Sequence, residues 1–246
     1  MTPLISIVAV NIDSPEWAEL LIKSIRMFTS NPYEIIVVDN NSLDINLEWL
    51  RAQSDIVLLE ANYNLGHGGG IDFGLTIAQG RYVCALDIDA HLQRSRWDTD
   101  LLSLYHNNDR TRLIGCVGPE QKPLHPPLFF FERDFIRDNK IRFQYNPNGG
   151  PKNTDSCQQA YWDILDLGFE ALRIPKGPHF YEGAIGDEVW LDGKPTIYHN
   201  WYGTRFNDNN PKTRKAELDG YKYEDHIERK RLLFEQPLVK TILGRQ

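Results

Sequence analysis

The sequence predicts an α/β fold: a mainly parallel central sheet flanked by helices, with a helical extension at the C-terminus. Two observations carry this. Apolar runs rich in β-branched residues alternate with helical stripes at roughly thirty-residue spacing, the pattern of right-handed βαβ units. The first four runs also end in acids or asparagines, where buried parallel strands would leave the core. A chain of 246 residues can bury one large α/β core, and two full domains would be cramped.

The first strand is read from Leu4 to Val10, apolar almost throughout. Ser14 and Pro15 read as the N-cap and first residue of a helix whose buried stripe holds Trp17, Leu20, Leu21, Ile25 and Phe28. Residues 34 to 40 make the second strand, a short helix passes through Leu47 and Leu50, and residues 55 to 61 make the third strand. After the glycine-rich NYNLGHGGG a helix runs through Phe73 and Ile77 and is expected to end at Gly80. The fourth strand, YVCALDIDAH, follows at residues 82 to 91.

Beyond Ile114 to Val117 the pattern changes. Six prolines and two glycines between residues 119 and 153 surround Phe129, Phe130 and Phe131, which predicts loops and antiparallel edge strands. A helix from Ser156 to Leu167, closed by Gly168, precedes the strand FEALRIP, and from Lys212 the chain is charged and helical in pattern. The expected division is a domain over residues 1–210, with a ligand-binding half at 1–118 and a second half at 119–210, followed by a helical extension at 211–246.

A net charge of -7 argues against nucleic acid as a partner. The three cysteines have no metal-ligand spacing and read as reduced core thiols of a cytoplasmic protein. The N-terminus reads as a first strand rather than a leader, and no segment approaches the ~20 apolar residues of a membrane span. The basic and apolar RKRLLFEQPLVKTILGRQ at the C-terminus could touch a membrane surface, but packing against the domain is the favoured reading.

In open α/β sheets ligands bind at the carboxyl ends of strands. Those ends carry Asn11 and Asp13, then Asp39, Asn40 and Asn41, then Asn62 and Asn64, then Asp87 and Asp89. Residues two apart on a strand face the same side about 6.6 Å apart, so Asp87 and Asp89 share one region unless the chain turns between them. Carboxylates so placed suit Mg2+ or Mn2+, whose oxygen ligands sit about 2.1 Å away and which keep positions open for phosphate. His91 reads as a third ligand or as support for the ligands, the latter favoured. The run Gly66, Gly68, Gly69 and Gly70 is not a dinucleotide fingerprint, because Ile71 stands where the last glycine belongs. Close packing and close approach to a ligand remain equal explanations for it.

The ordered segments ISIVAVNIDSPEW, EIIVVDNNSLD and NYNLGHGGGIDFGLTIAQGRYVCALDIDAH resemble family 2 glycosyltransferases of the GT-A fold. The resemblance implies that Asp39 binds the nucleotide base or ribose in a pocket also lined by Val10 and Asn11. It implies that Asp87 and Asp89 bind metal and sugar nucleotide, and that Asn64 and Gly66 begin a segment closing over the nucleotide. DSCQQAYWDILDLG resembles a D-T-G-x segment of a subset of these enzymes; Asp155 keeps its place and is implied to be catalytic, whereas Ser156 and Cys157 depart from the pattern. IYHNWYGTRF resembles the C-terminal histidine segment, implying His199 as a metal ligand with Trp201 and Arg205 near the phosphates or acceptor. Without the resemblance, Asp155 is an ordinary helix cap and His199 an ordinary structural histidine.

The implied activity is sugar transfer, with inversion, from a nucleotide diphosphate sugar to an acceptor hydroxyl on a glycan or similar molecule, aided by Mn2+ or Mg2+. The base for the acceptor is Asp155, with Asp134 and Glu132 behind it. Phe129 to Phe131, Trp162 and Trp201 are candidates to stack on an acceptor sugar, though core packing is favoured for most. The alternatives are a nucleotidyltransferase, disfavoured because NIDSPEW carries no Lys or Arg, and a non-catalytic sugar or nucleotide-binding module of the same fold.

Overall fold

All seven residues of β1 (Ile5–Asn11) are buried, as a strand covered on both faces requires. The structure, a computed structural model, describes residues 2–116, 124–144, 157–181, 184–200 and 223–245. β1 pairs in parallel with β2 (Tyr33–Asp39) on one side and β4 (Tyr82–Asp87) on the other, and β3 (Ile56–Glu60) extends the sheet beyond β2. Between these strands run α1 (Pro15–Phe28), the short α2 (Glu48–Arg51) and α3 (Gly66–Leu75). Ser14 precedes α1 but does not cap it with its side chain; its hydroxyl donates to the Ile12 carbonyl at 2.7 Å. The third helix stops at Leu75, ahead of Gly80. A Cβ at Gly80 would meet the Ser6 nitrogen at 2.5 Å, so this glycine serves close passage against β1 rather than helix termination.

The aromatic run corrects the expectation of edge strands. It lies in β7 (His125–Glu132), which is inserted antiparallel between β4 and β6 (Thr111–Cys116) in the sheet order β3-β2-β1-β4-β7-β6-β8, with β8 at Glu170–Ile174. Phe130 is buried in one core cluster, and Phe129 and Phe131 are buried in the other. Consecutive aromatics buried on alternate faces need cover on both sides, which an interior strand provides. They are therefore core residues and unavailable to an acceptor sugar.

The sequence reading missed α4 (Trp97–His106), although Trp97, Leu101 and Tyr105 are buried at helical spacing. α5 (Arg133–Asp138) follows β7, and α6 (Gln158–Asp166) leads into β8 (Glu170–Ile174), parallel to β6. A second, antiparallel sheet has the order β5-β11-β10-β9, built from β5 (Ala90–Leu92), β9 (Lys176–Tyr181), β10 (Ala184–Leu191) and β11 (Lys194–Asn200).

The C-terminal segment forms α7 (Tyr223–Phe234) and α8 (Pro237–Leu243). Leu233, Val239, Ile242 and Leu243 pack with Trp17 and Leu20 of α1, turning inward the apolar side chains that suggested a membrane surface. Burying side chains of this size stabilises by about 1.5–3 kcal/mol each. Among the described residues no helix is long and apolar enough to cross a membrane. Cys84, Cys116 and Cys157 are buried free thiols. The expected boundaries at 118/119 and 210/211 lie outside the described residues.

Candidate active site

Three adjacent strands end together. In the register of the sheet Asn11 stands opposite Asp39 and Val10 opposite Asp87, so the acids of β2 and β4 flank the end of β1. Neighbouring strands lie about 4.8 Å apart, which separates the two acids by roughly 10 Å. This is the carboxyl edge, where open α/β sheets bind ligands.

At the β2 side, Asn11 Nδ2 donates to Asp39 Oδ1 at 2.8 Å, and the Ser42 amide donates to Asp39 Oδ2 at 2.9 Å. Asp13 braces the same turn by accepting from the Leu43 amide at 2.7 Å and from Asn46 Nδ2 at 3.0 Å. The Asp39 carboxylate is buried, and both of its oxygens have internal donors. Asn40 ties this edge to the next loop, donating to the Gly66 carbonyl at 3.1 Å and accepting from the Leu65 amide at 3.3 Å. Asn64 is exposed and accepts the Gly66 amide at 2.8 Å, closing the turn in which Gly66 takes a φ of +74°.

The two explanations of the glycine run resolve toward packing at the positions where space decides. A Cβ at Gly68 would stand 1.9 Å from the Phe143 carbonyl oxygen, and one at Gly70 would stand 2.6 Å from Val10 Cγ1. Asp72 adds to this contact by accepting the amides of Phe143 and Gln144 at 3.0 and 3.1 Å. The side chain in this run that reaches an acid is His67, which the sequence reading passed over. Its Nε2 lies 3.2 Å from Asp87 Oδ1, and its Nδ1 lies 3.9 Å from the Cys157 sulfur.

Asp87 closes β4, and the chain turns at Ile88 and Asp89 instead of continuing straight. β5 then pairs with β11, setting Ala90 opposite His199, while the Asn200 amide donates to the Asp89 carbonyl at 3.0 Å. His199 Nε2 consequently stands 3.2 Å from Asp87 Oδ2 and 3.5 Å from Asp89 Oδ1. One ligand atom from each of Asp87, Asp89 and His199 lies within 4.8 Å of the other two. Two oxygens bound to one Mg2+ stand at most about 4.2 Å apart, so a small contraction would close the triad on an ion. Two carboxylates and an imidazole are a donor set suited to Mn2+ or Mg2+ with positions left open. Burial alone would lower the pKa of His199, but the carboxylates of Asp89 and Asp87 outweigh it and raise it to about 10. Without a cation, a proton on His199 balances the two acids.

His91 does not support this cluster from beside it. It is opposite Tyr198, one position off the His199 register, and so faces the other side of the second sheet, with its ring centroid 5.4 Å from that of Tyr198. Burial pushes its imidazole down to about 3.

Another charge pair does face the cluster. Asp187 is directly opposite His199 across β10 and β11, so both side chains leave the same face. Asp187 is ion-paired with Lys176, the side chains being only 9% and 7% exposed respectively. Lys176 opens β9 just past the carboxyl end of β8. Burial drives the Cys116 thiol at the end of β6 up to about 12, with Lys176 lowering it and Asp187 and Asp87 raising it, so these charges converge on one region.

The two reserve bases are elsewhere. β7 is antiparallel to β4 and brings Glu132 opposite Tyr82, at the far end of the strand from Asp87. At about 3.3 Å per residue that is roughly 17 Å away. Glu132 there pairs with Arg81 at 3.0 Å, and Asp134 pairs with Arg133 and Arg137, each at 3.0 Å. Trp162 lies half-buried on α6 with its ring against Tyr161. Asp155, Trp201 and Arg205 lie outside the described residues.

Residues 6–151, more than half of the chain, match the family model for glycosyl transferase family 2. An uncharacterized glycosyltransferase of Haemophilus influenzae is 26% identical over 117 residues, which are 46% of this chain and 36% of that protein. The mannosyltransferase PcManGT from Pyrobaculum calidifontis, solved in complex with GDP-Man and Mn2+, superposes with a TM-score of 0.54 at 17% identity, over 71% of this chain and 55% of that one. S. aureus TarS 1-349 in complex with UDP-GlcNAc superposes with a TM-score of 0.52 at 15% identity, over 78% of this chain and 57% of that one. The chain thus spans about a third of the curated relative and little more than half of these two structures. With a mainly parallel sheet whose carboxyl edge gathers Asp39, Asp87, Asp89 and His199, and with a family match running through three of these four residues, the chain belongs to glycosyl transferase family 2 and has the GT-A fold.

Proposed function

We propose that the protein moves a sugar from a nucleotide diphosphate sugar to a hydroxyl of a glycan acceptor, with inversion, using Mn2+ or Mg2+. The observation that carries this reading is the meeting of Asp87, Asp89 and His199 beside the strand end that holds Asn11 and Asp39. GDP-Man with Mn2+ in one structural neighbour and UDP-GlcNAc in another support the donor class. The buried free thiols support a cytoplasmic setting.

Asp87, Asp89 and His199 would hold the metal, which when bound neutralises charge gathering on the leaving diphosphate. Asp39 receives the base or ribose by exchanging hydrogen bonds now made with Asn11 and Ser42, and the main chain at Val10 and Asn11 lines that pocket. Asn64 and Gly66 begin the segment that covers the nucleotide. From the family resemblance, Asp155 takes the acceptor proton and Arg205 faces the diphosphate. Residues 1–210 form the transferase domain and residues 211–246 its helical extension.

The test is a thermal-shift panel of UDP, GDP, dTDP and CDP sugars with and without Mn2+, followed by a transfer assay with the donor that binds. One donor should stabilise the protein in a metal-dependent way, and Asp89→Asn should abolish turnover. If no donor is transferred or hydrolysed in the presence of Mn2+, the chain is a binding module instead.

A further inference from the structure

On one face of the second sheet an apolar row of side chains gives way to a polar one. Val189, Ile197 and Leu92 stand opposite one another across β10, β11 and β5 and are buried in one core cluster. Two residues along the same face, Asp187 stands opposite His199, their Cβ atoms about 5 Å apart. The core thus ends, and the cluster of Asp87, Asp89 and His199 begins, between Val189 and Asp187.

Lys176 belongs to this face as well, because it is opposite Val189, two residues from Asp187. Its stem starts in the apolar row and its ammonium reaches Asp187, with both side chains almost fully out of solvent. Two apolar side chains would fill this place about as well, since desolvating both charges offsets most of their attraction. The ion pair has a capacity that apolar residues lack. The contact needs only one of the three Lys176 N–H groups and one of about four acceptor sites on the Asp187 carboxylate.

Position along the sheet indicates what the pair would meet. Asp39 closes β2, Asn11 closes β1 and Asp87 closes β4, so a nucleotide with its base at Asp39 and its diphosphate at Asp87 runs along the carboxyl edge from β2 to β4. The next strands in that direction are β7, β6 and β8, and Lys176 comes two residues after the end of β8. Burial chiefly raises the Cys116 thiol at the end of β6, while Lys176 lowers it and Asp187 and Asp87 raise it further, so the three charges lie around that strand end. In a sugar nucleotide the group beyond the diphosphate is the sugar.

We propose that Lys176 and Asp187 together bind the transferred sugar, Lys176 donating to and Asp187 accepting from adjacent hydroxyls, and that they select a neutral sugar. A hydroxyl both donates and accepts, so two neighbouring hydroxyls match the two side chains. The pair carries no net charge, so the carboxylate of a uronate would meet Asp187 without a cation left to balance it. This rests on the nucleotide-sugar reading above.

Calorimetry with Mn2+ tests the proposal on UDP, GDP, dTDP and CDP, each bare and joined to its common neutral sugars, with UDP-glucuronate as the charged sugar. The wild-type protein should bind one neutral sugar nucleotide at least about tenfold more tightly than UDP-glucuronate. Lys176→Met combined with Asp187→Leu removes both charges together. It should bind that sugar nucleotide at least about tenfold more weakly, yet hold the bare nucleoside diphosphate within about twofold of wild type. Lys176→Met alone should show the same split. A merely structural pair would weaken both ligands alike. Should neither variant fold, monodeoxy analogues of that donor keep the test on the wild-type protein, where removal of either of two adjacent hydroxyls should cost about tenfold. Equal loss for both ligands, loss for neither, a preference for UDP-glucuronate, or deoxy analogues that bind like the parent would overturn the inference. If the wild-type protein binds none of the nucleotides, bare or glycosylated, the nucleotide-sugar reading beneath it falls instead.

Discussion

Asn200 donates its amide to the carbonyl of Asp89 at 3.0 Å, so the turn that carries one acid of the cluster is fixed to the strand that carries the histidine. The cluster is held by main-chain pairing within the second sheet as well as by attraction among its side chains.

A divalent cation should therefore stabilise the folded chain. At a concentration one hundred times its Kd, Mn2+ would add about 2.7 kcal/mol, and the unfolding midpoint should rise accordingly. Asp89→Asn should remove most of that rise. An equal rise in both proteins would place the ion elsewhere.

The sign of the pH dependence follows from His199, whose pKa is raised from 6.5 to about 10. A raised histidine contributes its full stabilisation below its unfolded pKa and loses it as pH climbs through the folded value. In EDTA the midpoint should fall between about pH 7 and pH 10. Saturating Mg2+ should flatten this fall, because the cation replaces the proton. His199→Gln should remove its share of the fall without Mg2+; a wild-type slope in that variant would assign the titration to another group.

Two glycines of the first turn of α3 should respond differently. Gly68→Ala forces a Cβ into the Phe143 backbone and should cost about 3 kcal/mol, displacing α3 and His67 with it. Gly66→Ala meets no atom within 4 Å and suffers only from its φ of +74°, a cost of about 1 kcal/mol. Urea denaturation measures both, and a reversed order would refute the packing explanation.

The Lys176–Asp187 pair should behave as a buried ion pair. Lys176→Met leaves a carboxylate buried without its cation and should cost about 3–5 kcal/mol, whereas Lys176→Met combined with Asp187→Leu should recover most of the loss. Additive losses in the double variant would mean that each side chain acts independently.

Much of the first half of the chain was legible because its information is local. Continuous apolar runs define β1, β2 and β4, a period-3.6 stripe defines the intervening α1, and right-handed crossovers between parallel strands bring Asn11, Asp39 and Asp87 to one edge. The second half was harder to read because pairing partners distant in sequence decide it. The aromatic strand was expected at an edge, yet β7 enters the middle of the sheet and carries Glu132 to the wrong end for chemistry. His199 was singled out only by resemblance, since a histidine in a strand carries no mark of what will lie across from it.

The sequence by itself determined the parallel sheet and the acids at its strand ends, since both follow from residue periodicity and the short reach of βαβ connections. Only the tertiary structure decided that Asp87 meets His199 on one side and His67 on the other. The first meeting depends on the register of an antiparallel sheet joining residues 90–92 to 197–199, and the second on the close backbone approach that Gly68 and Gly70 permit. Neither the register nor that approach is a property of a local run of residues, because each exists only once two distant segments have packed.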